Sequence, residues 1–186
     1  MNKGTLFVIS GPSGVGKGTL VLHVLERLKT IALSVSATTR PPRPDETDGI
    51  SYHFLSKEQF EEIIEQGGFL EWAVVYDNRY GTLKEEVERH LNAGQDLILE
   101  IDVQGGLQVM QRYPDAVLIF IEPPSLEILE KRLRARETES EESIRKRLEI
   151  ARLELACKER YTIVITNDDL ETAVTQLIDF INSYRM

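Results

Sequence analysis

The stretch Gly11-Pro12-Ser13-Gly14-Val15-Gly16-Lys17-Gly18-Thr19 lies between a short apolar run, Leu6-Phe7-Val8-Ile9, and an amphipathic stretch that begins near Lys17. Its glycines let successive backbone N–H groups curl around a polyphosphate, and a helix starting at the end of the loop adds its positive dipole end. Lys17 is placed to reach the β- and γ-phosphates. This is the layout of a phosphate-binding P-loop, and a strand before it and a helix after it are the flanks that the mechanism requires. The expected ligand is a nucleoside triphosphate, held by residues 11–19. One position departs from the usual pattern: Gly18 follows the lysine where Ser or Thr ordinarily meets Mg²⁺. Either Thr19, one position later, turns inward to the metal, or nucleotide oxygens and water hold the cation, which Mg²⁺ tolerates because it dehydrates reluctantly.

Outward from this loop, continuous apolar runs recur at 5–10, 31–35, 97–101, 116–121 and 161–165, and most alternate with helical patterns. Strands that read as unbroken apolar runs belong to a parallel sheet covered on both faces, so the chain is an α/β protein with five such strands. Helix ends are legible too. Ser56 with Gln59 makes a capping box, Gly94 follows a helix over about 84–93, and Pro123-Pro124 closes a strand before Ser125 opens another helix. Between 36 and 82 the pattern changes to short strand-like pieces, 52–55, 70–75 and 79–82, around a helix at 56–66, which reads as an α+β insertion. A second insertion, 126–148, is helical and dense in arginine. The expected organisation is one domain, with a core formed by 1–35, 83–125 and 149–186.

The bulk numbers agree with a single domain: 186 residues, 41% hydrophobic, 22 Lys and Arg against 31 Asp and Glu. A net charge of −9 argues against broad binding to nucleic acid or anionic membranes unless basic residues are concentrated locally. The lone Cys157 cannot form an internal disulfide and is expected to be a buried thiol. The N-terminal apolar run is too short for a signal core, and no stretch approaches the ~20 apolar residues of a membrane helix, so the expected location is cytoplasmic. His23, His53 and His90 show no metal-ligand spacing.

Four further segments carry chemistry. Leu97-Ile98-Leu99-Glu100-Ile101-Asp102 is a strand ending in acid, and in P-loop proteins a carboxylate there faces Mg²⁺ or the reacting phosphates; Asp102 is the first candidate and Glu100 the second. In Ser34-Val35-Ser36-Ala37-Thr38-Thr39-Arg40-Pro41-Pro42-Arg43-Pro44, two arginines on a proline-stiffened chain offer paired guanidinium forks to a second phosphate. In the arginine-dense insertion, Glu127, Glu130, Glu141 and Glu142 stand four residues before Lys131, Arg134, Arg145 and Lys146 and can pair with them. Arg132 and Arg136 stand i,i+4 to each other, and Arg147 has no acidic helical neighbour, so these three are left for an anion such as the ATP phosphates. Glu71, within Phe69-Leu70-Glu71-Trp72-Ala73-Val74-Val75-Tyr76, lies in an apolar and aromatic stretch where an unpaired carboxylate is costly. Guanine offers it two donors on one edge, N1–H and the N2 amino group; adenine presents an acceptor at N1.

The P-loop, SVSATTRPPRP at 34–44, YHF at 52–54, FLEWA at 69–73, YGT at 80–82, LEID at 99–102 and RLRARETESEESIRKRL at 132–148 together resemble the guanylate kinases, ATP:GMP phosphotransferases, over essentially the whole chain. The resemblance implies the P-loop nucleoside monophosphate kinase fold, with 36–82 as the GMP-binding unit and 126–148 as a lid. It implies that Ser36, Glu71 and Thr82 contact guanine, that Arg40, Arg43, Tyr52 and Tyr80 bind the GMP phosphate, and that Asp102 sits near GMP and the metal. Lys17, Arg132, Arg136 and Arg147 would hold the transferring phosphoryl group and Asn167 would lie near the adenine. The substrates implied are ATP, with Mg²⁺, and GMP or dGMP. Oligomeric state is undetermined. Two other readings remain: a kinase for a different monophosphate or for a ribose bisphosphate, against which Glu71 with Ser36 and Thr82 argues, and a non-catalytic guanylate kinase-like module that binds phosphopeptides, against which the intact Gly11, Gly14, Gly16 and Lys17 argue.

Overall fold

The computed structural model describes residues 3–75, 77–135 and 140–185. In chain order the first half contains β1 (Leu6–Ser10), α1 (Lys17–Arg27), β2 (Ile31–Leu33), β3 (Ala37–Thr38), β4 (His53–Phe54), α2 (Lys57–Glu65), β5 (Phe69–Val75), β6 (Asn78–Leu83) and α3 (Lys84–Asn92). The second half contains β7 (Asp96–Glu100), α4 (Val103–Arg112), β8 (Val117–Glu122), α5 (Leu126–Arg134), α6 (Glu141–Leu155), β9 (Ile163–Thr166) and α7 (Leu170–Ser183).

The five apolar runs form one parallel sheet in the order β2-β7-β1-β8-β9. All five residues of β1 are buried, and the two-residue side-chain period divides them between two cores. Phe7 and Ile9 pack with Leu20, Val21 and Val24 of α1 and with Val174, Leu177 and Ile181 of α7. Leu6 and Val8 pack on the other face with Val87 and Leu91 of α3 and Val103 and Val109 of α4. A sheet covered on both faces leaves its strands no polar side, which is why they read as unbroken apolar runs. The chain leaves β1 towards β2 on one side and later returns to build β8 and β9 on the other, so the order reverses at β1. In open α/β sheets ligands bind outside the carboxyl ends of the strands at such a reversal. Here that end carries Gly11 after β1 and Glu100 to Asp102 at the close of β7.

The expected α+β insertion is a four-stranded sheet ordered β4-β3-β6-β5, with α2 packed on it through Phe60, whose ring stacks on Phe69 at 4.3 Å. Its strand β3 is not among the strand-like pieces expected between 36 and 82. Two residues, Ala37 and Thr38, both buried, pair with β4 and β6, a piece too short to show any periodicity. The capping box on α2 is formed in both directions, Gln59 N–H donating to Ser56 Oγ at 3.1 Å and Ser56 N–H to Gln59 Oε1 at 2.8 Å. Serines also cap α5 and α6: Ile128 N–H donates to Ser125 Oγ and Ser143 N–H to Ser140 Oγ. These two helices share a small core of Leu129, Leu133 and Ala151. Helix α6 is unbroken through residue 148 and ends only at Leu155, so one rigid rod joins the arginine-dense segment to the core. Cys157 is half-buried rather than buried, on the edge of the core cluster under α4.

Candidate functional site

The loop after β1 takes the conformation its glycines permit. Gly11 and Gly16 have φ of 152° and 97°, and a Cβ on Gly11 would lie 2.1 Å from the Ile121 carbonyl oxygen, so neither position accepts a larger residue. Lys17 opens α1, whose first turn carries no acidic side chain, so the helix N-terminus offers its N–H groups to an outside anion. Lys17 Nζ donates to the carbonyls of Gly11 at 2.6 Å and Pro12 at 3.2 Å. Burial pulls the Lys17 ammonium below the usual lysine range, and the carboxylates of Glu100, Glu154 and Asp102 oppose that pull. The loop is braced from behind. Asn167 is buried and donates through Nδ2 to the Val15 carbonyl at 2.8 Å; Arg132 on α5 donates to the Asn167 carbonyl at 2.9 Å and to that of Val15 at 3.4 Å. Arg147 on α6 donates to Ser13 Oγ at 3.2 Å. Of Arg132, Arg136 and Arg147, the first and last therefore reach the P-loop; Arg136 lies outside the described residues.

A cavity of about 410 Å³ opens in front of this loop. Its wall includes Lys17, Ser36, Tyr52, Glu71, Tyr80, Asp102 and Arg147, residues contributed by both insertions and the core. Glu71 is 3% exposed, and Thr82 Oγ1 donates to its Oε1 at 2.7 Å. Burial pushes the Glu71 carboxyl up to about 7, with the Asp102 charge adding to the shift and the Thr82 hydrogen bond opposing it. Asp102 caps α4, accepting the Gly105 N–H at 2.8 Å. Arg40 lies beside the wall, 5.5 Å above the Tyr52 ring, and is engaged in both forks by Glu46 at 2.9 and 2.8 Å. The same carboxylate accepts the Arg43 N–H at 2.8 Å, while the Arg43 side chain is exposed.

Thr19 is exposed on α1 and is not part of the cavity wall; the group facing Gly18 is Glu100, whose carboxylate oxygens lie 3.5 and 3.7 Å from where a Gly18 Cβ would stand. Glu141 ion-pairs with Arg134 of the neighbouring helix α5 instead of with Arg145, while Glu130–Arg134 and Glu142–Lys146 pair along their helices. Three polar side chains on or beside the wall were not anticipated: Glu46, Gln104 and Glu154. Glu154 was open to discovery, since it follows Arg147 by seven residues and so shares its helix face. Its carboxyl is pushed up to about 7, first by burial, with the Lys17 charge opposing.

Against known proteins, the guanylate kinase family model matches residues 3–184. The chain belongs to the guanylate kinase family. It is 51% identical over 175 residues to a guanylate kinase of Caldanaerobacter subterraneus subsp. tengcongensis, covering 94% of this chain and 85% of that relative. It is 45% identical over 183 residues to one of Thermotoga maritima, covering 98% and 88%. Among solved structures it resembles a guanylate kinase from Anaplasma phagocytophilum with a TM-score of 0.81 and 32% identity, over the whole of this chain and 88% of that one. Membership of this family fits a five-stranded parallel sheet with a P-loop after its central strand. Among the described residues, no helix is long and apolar enough to cross a membrane.

Proposed function

We propose that the protein transfers the γ-phosphoryl group of ATP to the phosphate of GMP, giving ADP and GDP, and that the cavity wall divides the work as follows. Residues 11–19 and Lys17 hold the triphosphate, with Asn167 and Arg132 keeping the loop in shape. Glu71, held by Thr82 and flanked by Ser36, receives the N1–H and N2 donors of guanine. Arg40 and Arg43, with Tyr52 and Tyr80, take the GMP phosphate, and Glu46 fixes Arg40's forks before substrate arrives. Arg147, with Arg132 and Arg136 on the same insertion, neutralises the charge of the transferring group. The attacking oxygen is already ionised, so in-line placement and charge neutralisation suffice and no general base is assigned. The observation that carries this reading is the buried Glu71 carboxylate sharing one cavity with the P-loop lysine.

The residues present fit a divalent cation brought in by the triphosphate. Hard oxygen donors, Glu100 and Asp102, stand at the end of β7 beside Lys17. Among the described residues, no three His, Cys, Asp or Glu side chains form a dedicated cage, in keeping with an ion that retains nucleotide oxygens and water. Mg²⁺ bound there supplies charge neutralisation to the triphosphate. The reading gives the cytoplasm as location and purine nucleotide interconversion as the setting.

An ADP-release assay with ATP and each of GMP, dGMP, AMP, CMP, UMP and a ribose bisphosphate tests this. Rapid turnover is expected with GMP and dGMP. Rapid turnover with any other acceptor contradicts the base assignment, and none with GMP contradicts the reaction.

A further inference from the structure

Helix α4 contains two successive glycines, Gly105 and Gly106, both buried in its first turns. Glycine inside a helix costs stability relative to alanine. Backbone conformation does not call for it here, because neither residue is among those with positive φ. What stands beside each Cα differs. A Cβ on Gly106 would meet two side chains of the core, Tyr161 Oη at 2.5 Å and Ser10 Oγ at 2.7 Å. A Cβ on Gly105 would meet the carboxylate of Glu71, Oε2 at 2.5 Å and Cδ at 3.1 Å. The nearest atom in the way is thus the end of a side chain, not backbone, and that end is the group on which base recognition turns.

The same face of α4 fixes the strand that carries Glu71. Three and seven residues after Gly105, Gln108 Nε2 donates to the Trp72 carbonyl at 2.7 Å and Arg112 donates to the Leu70 carbonyl at 2.8 Å. Strand β5 is held on both sides of Glu71, so the backbone cannot retreat from a methyl group, and only the carboxylate can. Thr82 pins Oε1 from the opposite side, while the Gly105 N–H is committed to Asp102.

We propose that Gly105 is a positioning residue for base selection: its missing side chain creates the seat that keeps the Glu71 carboxylate aimed into the cavity. The inference rests on the reading that Glu71 receives the guanine donors. Replacing Gly105 by alanine displaces that carboxylate and weakens discrimination between GMP and IMP, which lacks the N2 amino group, without touching the P-loop.

The test compares kcat/KM for GMP and IMP at saturating ATP in the parent protein and in Gly105→Ala, Gly106→Ala and Glu71→Gln. The ratio of the two values does not depend on how much of each preparation is folded. Gly105→Ala is expected to lose about tenfold or more of the GMP preference through a raised KM for GMP, with the KM for ATP changed by less than about threefold. Gly106→Ala is expected to keep the ratio even if it melts earlier. A ratio retained within about twofold in Gly105→Ala, while Glu71→Gln collapses it, overturns the role of Gly105 alone. A ratio retained in Glu71→Gln overturns the reading of Glu71, and the inference with it.

Denaturation gives a second readout that needs no activity. Gly105→Ala should destabilise the parent but stabilise the Glu71→Ala protein, where the methyl has room and helix propensity is all that changes. An equal cost in both backgrounds means that the methyl collides with something other than this carboxylate, and overturns the proposal.

Discussion

Lys17 and Glu71 sit in one cavity as a cation and an acid held at odds with their surroundings, which is where perturbed groups do chemistry. Their removal should separate binding from transfer. Lys17→Ala is expected to lower kcat by about 10³-fold while leaving GMP affinity within a few-fold, measured by single-turnover kinetics and GMP titration. Equal loss of GMP binding in Lys17→Ala and Glu71→Gln contradicts the division. Glu71 also makes a prediction about pH. A carboxyl with a folded value of about 7 and an ordinary value of 4.5 favours folding fully below pH 4.5, loses that contribution as the pH rises to about 7, and is flat above. Glutamine keeps the Thr82 bond and carries no charge. Ligand-free Glu71→Gln should therefore be more stable than the parent by about 1–2 kcal/mol at pH 8 and no more stable at pH 4, by urea denaturation. A residue kept for substrate recognition at the cost of stability behaves in this way.

At the scale of elements, α6 is the part that carries function across distance. Its 15 residues form one rod from Ser140 to the core, with Arg147 and Glu154 two turns apart on one face. Ser140→Ala removes the hydroxyl that caps it and should cost about 1 kcal/mol, read as a lower urea midpoint. Gly18→Ser places its Cβ at ordinary contact distance from the Glu100 carboxylate, so it should keep kcat within about threefold and improve α1. The strands of the main sheet and the caps at Ser56 and Ser125 could be read in the sequence because each depends on its own few residues. Strand β3 could not, since two residues have no period and pair only because β4 and β6 are already in place. Likewise Glu46 carries no signal of its own in the sequence, since only the fold sets it against Arg40. The arginines that reach the P-loop were legible because no acid stands three or four residues from them in the sequence. Glu141 was assigned to Arg145 because helical spacing says nothing about a neighbouring helix, and it pairs with Arg134.

For the whole molecule, the reversal of strand order at β1 brings the P-loop, the β7 carboxylates and the two inserted units to one end of the sheet. Three exposed apolar residues, Val74 on β5 and Ile150 and Leu153 on α6 just beyond the second unit, flank this end, the first two on the cavity wall. Closing these units over both nucleotides would cover that surface and keep water from the reacting phosphate. Scattering should then show a smaller radius of gyration with ATP analogue and GMP together than with either alone; an unchanged radius contradicts closure. The central claim is that one phosphoryl group passes directly between two nucleotides held in this cavity. It is tested most directly by following the label from γ-³²P-ATP mixed with GMP in a single turnover. The account predicts label only in the β-phosphate of GDP, appearing as ATP disappears and absent with Lys17→Ala. Label released as inorganic phosphate, or retained on the protein, would contradict it.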